Sequence, residues 1–305
     1  MPVGIRPAAP EATGTPPRPP LVRELLLVTA LFLVYKLGRL FANGHEARAF
    51  GNADRVWHLE RTLHVPGEGA VQRLLLHDGT TVHLANTYYA AVHFPATVAF
   101  LGWLYWRRPA HYLWARRVLA LLTAAALALH LLVPLAPPRL LTASGLVDTA
   151  RVYGPSVYGA VPMSDAMANQ FAAMPSLHFG WALMIAIGLI AAAGRPGDER
   201  GRAQNQGRGR GRGRGRMRGR VRGRVRYLWL LHPLVTLLVI VGTANHYWLD
   251  ALVAAVLLGC ALLLVRRPRP RAGDAPLAAG PPGGTATALP GGVIAARVPA
   301  GGVRR

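Results

Sequence analysis

Cysteine and lysine are nearly missing from this 305-residue chain. Cys260 is the single cysteine and lies inside an apolar stretch, so neither a disulfide framework nor a cysteine-based zinc site can form within one chain. Lys36 is the single lysine, and arginine carries almost all of the positive charge. Acids are scarce: 13 stand against 35 basic residues, a formal net charge of +22. The five histidines from His45 to His83 lack the tight spacing of metal ligands, and we read them as surface residues. No metal or cofactor is expected. Long parts of the chain also lack a polar face. "LALLTAAALALHLLVPLA" and "ALVAAVLLGCALLLV" have almost none, unlike the amphipathic helices of a soluble protein. The first apolar stretch lacks a small-residue cleavage site after it, so it does not read as a cleaved signal peptide.

Six apolar segments stand out, at residues 22–41, 84–106, 116–134, 176–193, 227–243 and 247–265. Each is near the length that crosses roughly 30 Å of hydrocarbon. The fifth is short and holds Pro233 near its start, which a spanning helix tolerates when neighbours satisfy the freed backbone group. Arginines cluster in the N-terminal tail (Arg6, Arg18, Arg23), in "RRPAHYLWARR", in the run from Arg195 to Arg226 and in "RRPRPR". Alternating spans place all four clusters on one side, and an excess of arginine marks the cytoplasmic side. The expected fold is an all-α integral membrane protein, a six-transmembrane-helix bundle over residues 22–266. An outer interfacial helical loop and disordered cytoplasmic tails, 1–21 and 267–305, complete it.

The segment "GRGRGRGRGRMRGRVRGRVR" resembles arginine-rich RNA-binding stretches. Thirteen arginines from Arg195 to Arg226, against Asp198 and Glu199, supply half of the net charge. No aromatic residue interrupts the repeat to stack on bases, which argues against a nucleic-acid partner. The reading we adopt is a flexible cytoplasmic loop held near anionic lipid headgroups. In the outer loop, Val56, Leu59 and Leu63 recur at helical spacing with charges between them, as in a helix lying in the interface plane. Pro66 and Gly67 break it, and Val71, Leu74 and Leu75 form a second short pattern.

Polar residues gather where the later segments meet the outer side. In "VPLAPPRLL", Pro137 and Pro138 end the third segment and hold Arg139 at the boundary. In "AAMPSLHFGWALMIA", Pro175 suits a first helical turn, which then carries Ser176 and His178. Helix N-terminal amides there favour an anion. In "GTANHYWLDALVAAV", Thr243 or Asn245 can cap the last helix. His246 and Asp250 are one turn apart and can hydrogen-bond. Arg139, His178, His246 and Asp250 thus share one membrane level, a set that suits phosphoryl chemistry. A neutral imidazole can attack phosphorus while a carboxylate fixes its tautomer. A second histidine can protonate the leaving oxygen, and a guanidinium with helix amides can hold the other oxygens.

"AMPSLHFGW" and "HYWLD" resemble the second and third signature motifs of the type 2 phosphatidic acid phosphatase superfamily. "APPR" is similar to the first motif in its inositol phosphorylceramide synthase-related branch. The resemblance implies a metal-independent enzyme with His246 as nucleophile, Asp250 as its partner and His178 as general acid. Arg139, Ser176 and Asn245 are the expected phosphate contacts. Two positions depart from the superfamily pattern: Leu132 stands where a lysine is usual, and Ile240 where an arginine is usual.

The expected activity is cleavage of a lipid phosphate ester or diphosphate at the extracytoplasmic face of the cell membrane, through a phosphohistidine. Water as acceptor makes it a phosphatase; inositol or a sugar makes it a head-group phosphotransferase. A non-catalytic lipid-binding or transport protein is the alternative of another class. His93 is read either as lining a substrate groove or as a core histidine. His130 and His232 are read as structural, and Asn169 and Gln170 as possible headgroup contacts.

Overall fold

The computed structural model describes residues 18–40, 46–155, 170–193 and 225–268. Among them the structure is helical, and strand-like pairing is confined to one bridge between Leu135 and Ala172. The helices are α1 (Leu21–Leu40), α2 (Glu46–Thr62), α3 (Glu68–Leu76), α4 (Gly79–Ala91), α5 (His93–Arg107), α6 (Pro109–Leu132), α7 (Thr149–Tyr153), α8 (Leu177–Ala192), α9 (Leu231–Gly242) and α10 (Trp248–Leu264). Short 3-10 turns stand at Pro138–Leu140, Thr142–Ser144 and Arg226–Leu230. Among the described residues only α6 is by itself long and apolar enough to cross a membrane. Helices α8 and α10 and the stretch Arg226–Gly242 are apolar but shorter.

Two expected boundaries move, each for a local reason. The segment read as one span over 84–106 is two helices that meet at Val92. Pro95 lies in the first turn of α5; it cannot donate to the Ala91 carbonyl, and its ring crowds that carbonyl. Helix α6 begins seven residues before the expected 116, with Pro109 at its first position, where the missing N–H is no loss. Most of "RRPAHYLWARR" is therefore helix.

Helix α8 is the centre of the bundle, packed against α5, α6, α9 and α10. Its neighbours supply Phe100 and Leu104 from α5, Val118 and Leu122 from α6, and Leu258 from α10, all buried with Met184 and Ile185. Gly188 lets Phe100 approach so closely that an added Cβ would stand 2.4 Å from the ring. Helix α1 buries little apolar surface and is clamped by charge instead. Glu24 is buried, pairs with Arg116 of α6 and accepts a 2.7 Å hydrogen bond from the Tyr112 hydroxyl. Large apolar side chains remain on the outside of several helices, among them Leu26, Leu33, Val98, Leu234, Leu252 and Val256.

The outer loop has a packed face that its large apolar residues do not mark. Helix α2 forms, but the face it packs inward is Ala49, Ala53 and Glu60, all fully buried, while Leu59 and Leu63 point outward. Small residues at that spacing let α2 lie close on the loop strands that follow α6 and precede α8. In α3, Glu68 and Gln72 are buried and Leu74 is exposed. His58, His64, His77 and His83 are exposed. Ordered chain starts before the expected tail boundary: Arg18 donates to the Trp106 carbonyl, and the Tyr105 hydroxyl donates to that of Pro19. The tail residues 1–17 and 269–305, the Arg/Gly repeat 195–224, His45 and Asn169 lie outside the described residues.

Candidate active site

Three chain crossings assemble the site. After α6 the backbone runs extended past the segment before α8, with Leu135 N–H on the Phe171 carbonyl and Ala173 N–H on the Leu135 carbonyl. Phe171, Leu135 and Tyr247 are buried together beneath α2. Four residues beyond Leu135, the α9–α10 turn joins in: the Arg139 N–H bonds the Ala244 carbonyl at 3.0 Å. Ala244 has φ +53°, a left-handed conformation that costs a residue with a Cβ about 1 kcal/mol. That turn presents the carbonyl to Arg139 and brings Arg139 to the two residues before His246.

His246 itself precedes α10, and its partner reaches back to it. The cap residue of α10 is Tyr247, neither Asn245 nor Thr243 as expected; Asn245 donates to the Thr243 hydroxyl at 2.8 Å. Asp250, in the first turn, accepts the Tyr247 N–H at 2.9 Å and lies 3.2 Å from His246 Nδ1. The same Nδ1 is 2.8 Å from the Ala173 carbonyl. A carbonyl only accepts, so Nδ1 carries the hydrogen and the neutral ring keeps its lone pair on Nε2. His246 and Asp250 are both buried, Asp250 completely.

The start of α8 is locked to the same turn. Ser176 caps α8, its hydroxyl accepting the Phe179 N–H at 3.4 Å, and its own N–H donates to the Asp250 carbonyl at 3.1 Å. Pro175 therefore precedes the cap instead of standing in the first turn, and its carbonyl lies 3.3 Å from His130 Nε2. His178, two residues inside α8, faces His246 with ring centres 6.1 Å apart. It is stacked on Tyr89 at 4.3 Å and stands 4.5 Å from His93, which packs on Trp181. A small pocket beside His178 is lined by Tyr88, Tyr89, His93, His232 and Thr236, backed by Val239 and Ile240. Tyr88, His232 and Thr236 are joined there by hydrogen bonds of 2.8–2.9 Å.

Arg139 is buried, with Nε 3.6 Å from Asp148 and Nη2 3.4 Å from the Gln170 amide oxygen. The structure thus brings together Ser176, His178, Asn245, His246 and Asp250, and joins Arg139 to them through its backbone N–H on the Ala244 carbonyl. Ser176 and Asn245 are engaged in shaping the two turns. Leu132 and Ile240 do not replace the cations expected there: Leu132 is exposed at the end of α6 and Ile240 is buried. Sequence reading passed over the Ala173 carbonyl, Asp148 and the aromatic flanks of His178. Only the last had a signal, in His93 and Trp181. No group of three or more histidines, cysteines or acids among the described residues is placed to hold a metal.

Two imidazoles 6.1 Å apart, one of them beside a carboxylate, are an arrangement that can supply the nucleophile and the acid of a phosphoryl transfer. The sequence pattern of the PAP2 superfamily matches residues 54–197 and 216–264. The chain belongs to that superfamily, whose members are phosphatases and phosphotransferases acting on phosphate esters. No curated protein and no solved structure matches the chain.

Proposed function

We propose that the chain is a six-span membrane enzyme that cleaves a lipid phosphate ester or diphosphate at the extracytoplasmic face through a phosphohistidine on His246. The observation that carries this reading is the 6.1 Å separation of the His178 and His246 rings. In-line transfer sets nucleophile and acid on opposite sides of one phosphorus, and this spacing leaves room for one phosphoryl group. His246 Nε2 attacks phosphorus and the bond to the lipid oxygen breaks. His178, protonated, gives its proton to that oxygen. Asp250 stabilises the positive ring that forms on His246, and Arg139 offsets charge on the phosphoryl oxygens. Water or an alcohol then attacks phosphorus, His178 takes its proton, and the Nε2–phosphorus bond breaks.

The membrane reading is supported by apolar side chains on the outer faces of α1, α5, α9 and α10, far more than a soluble monomer exposes. Leu59 and Leu63 on the outside of α2 suit an interface with headgroups. The arginine placement sets the orientation, with the site outside and both termini cytoplasmic. Departure from the usual cradle at Leu132 and Ile240 favours the inositol phosphorylceramide synthase-related branch, hence an alcohol such as inositol or a sugar as acceptor. The test is turnover of a panel of lipid phosphates and diphosphates by the purified protein, with and without inositol and sugars. Transfer or release of phosphate supports the reading. Binding without turnover of any of them points to a lipid-binding or transport protein.

A further inference from the structure

Glu60 is fully buried although it belongs to a loop helix outside the bundle. Its Oε1 accepts the Leu249 N–H at 2.8 Å. That amide lies in the first turn of α10, where helix donors have no partner within the helix. Asp250 takes the Tyr247 amide, so two carboxyl groups, one local and one from 189 residues away, hold the start of the helix. Glu60 is fixed in turn. The alanine face of α2 sets its backbone. Glu68 of α3, equally buried, is in hydrogen-bond contact with it. Arg61 Nη2 bonds Glu68 Oε2 at 2.7 Å and stands 3.6 Å from Glu60 Oε2.

We propose that Glu60 is a positioning residue for the reaction: by holding the Leu249 amide it sets the first turn of α10, and with it the place of Asp250 beside His246. The proposal rests on the roles given to His246 and Asp250 above.

Two ionised carboxylates cannot share a hydrogen bond. Glu60 Oε2 and Glu68 Oε1 are buried with no donor from elsewhere among the described residues; one proton between the carboxyl groups satisfies both. Burial, then the contact with Glu68, push Glu60 up to about 9. The groups that face it are Glu68 from α3, Asp250 of α10 and Tyr247 at its cap, and Arg61 of its own helix. At neutral pH Glu60 is thus a carboxylic acid: its carbonyl oxygen accepts from Leu249, and its hydroxyl donates to the Glu68 carboxylate, which pairs with Arg61. Glutamine reproduces both contacts and alanine neither. The sign follows from the raised value. The folded form holds a proton that the unfolded form releases, so this contribution is complete below the ordinary carboxylate range and is lost as pH rises through about 9.

The test uses the full chain in detergent micelles, as parent, Glu60→Gln and Glu60→Ala. Turnover of phosphatidic acid is followed from about pH 6 to 10, alongside hydrogen exchange at the Leu249 amide. Glu60→Ala should lose about 10–100-fold in turnover at every pH, the cost of an ångström-scale misplacement, and should lose protection at Leu249. Glu60→Gln should match the parent near neutral pH in both readouts, and should keep its Leu249 protection where the parent loses it, near pH 9. Full turnover and protection in Glu60→Ala would overturn the proposal. So would a Glu60→Gln protein as poor as Glu60→Ala, because the ionised form would then be the one required. If Glu60→Ala does not fold, a loss of Leu249 protection near pH 9 in Glu60→Gln equal to the parent's is the overturning result. If the parent hydrolyses no lipid phosphate, the functional reading fails by itself. Exchange at Leu249 still decides the seat: unchanged protection in a folded Glu60→Ala refutes it.

Discussion

Two buried polar clusters flank the two ends of α6, and they are built differently. At the start of α6, Glu24 of α1 meets Tyr112 and Arg116, and both of its oxygens accept from them. Beyond the last turn of α6, Asp250 serves His246 and the Tyr247 amide through Oδ2 alone. Its Oδ1 is buried without a hydrogen-bond partner among the described residues. His246 is oriented through Nδ1, which leaves Nε2 its lone pair. The first cluster is complete, as a clamp should be. The second leaves hydrogen-bonding capacity unspent on buried atoms, which is costly unless a ligand or a reaction uses it. The Glu24 cluster holds a helix; the Asp250 cluster has the open capacity that the proposed reaction would use.

Substitutions separate the two. The largest effect expected is that of His246→Ala, which removes the proposed nucleophile and with it turnover, leaving the fold in place. Asp250→Asn comes next, at about 10²–10⁴-fold in turnover, because the ring keeps its position but loses the group that fixes its tautomer and stabilises its charge. Steady-state kinetics should show the loss in kcat. His178→Ala should cost about 10²–10⁴-fold with an alkyl phosphate, whose leaving oxygen is strongly basic, and far less with an aryl phosphate. Comparing the two substrates in one variant is the check. Glu24→Ala should leave turnover per folded molecule unchanged and lower stability by about 2–4 kcal/mol, since Arg116, itself part-buried, is left without its partner. Thermal unfolding in detergent measures that. A Glu24→Ala protein with normal stability and poor turnover would erase the distinction.

How far the sequence could be read differs between the same two ends. Apolar runs placed α8 and α10 within a residue of their starts, because burial demands such runs, but did not show the earlier start of α6 or the break at Val92, which prolines set. The pairing of His246 with Asp250 was legible from their spacing, but for another reason than the one that operates. A shared helix face was expected; instead His246 lies before the helix and Asp250 folds back over the cap. A four-residue spacing serves both geometries, so periodicity could not tell them apart. Arg139 was legible beside its prolines, whereas Asp148 and Ala173 were not, because loop backbone brings them in and no local pattern encodes it. The buried face of α2 went unread. Leu59 and Leu63 drew attention as apolar residues, while Ala49, Ala53 and Glu60 form the stripe that packs. The short side chains allow close approach, and a buried glutamate goes against every composition rule until its partners, Leu249 and Glu68, are known.

The central claim is a covalent phosphoryl group on His246. A substrate carrying radiolabelled phosphate, mixed with the parent protein and quenched within one turnover, tests it directly. We predict label on the protein that is stable to base and lost in acid, present in the parent and absent from His246→Ala. Label that survives in His246→Ala, or turnover that persists there with no label in either protein, would contradict the mechanism.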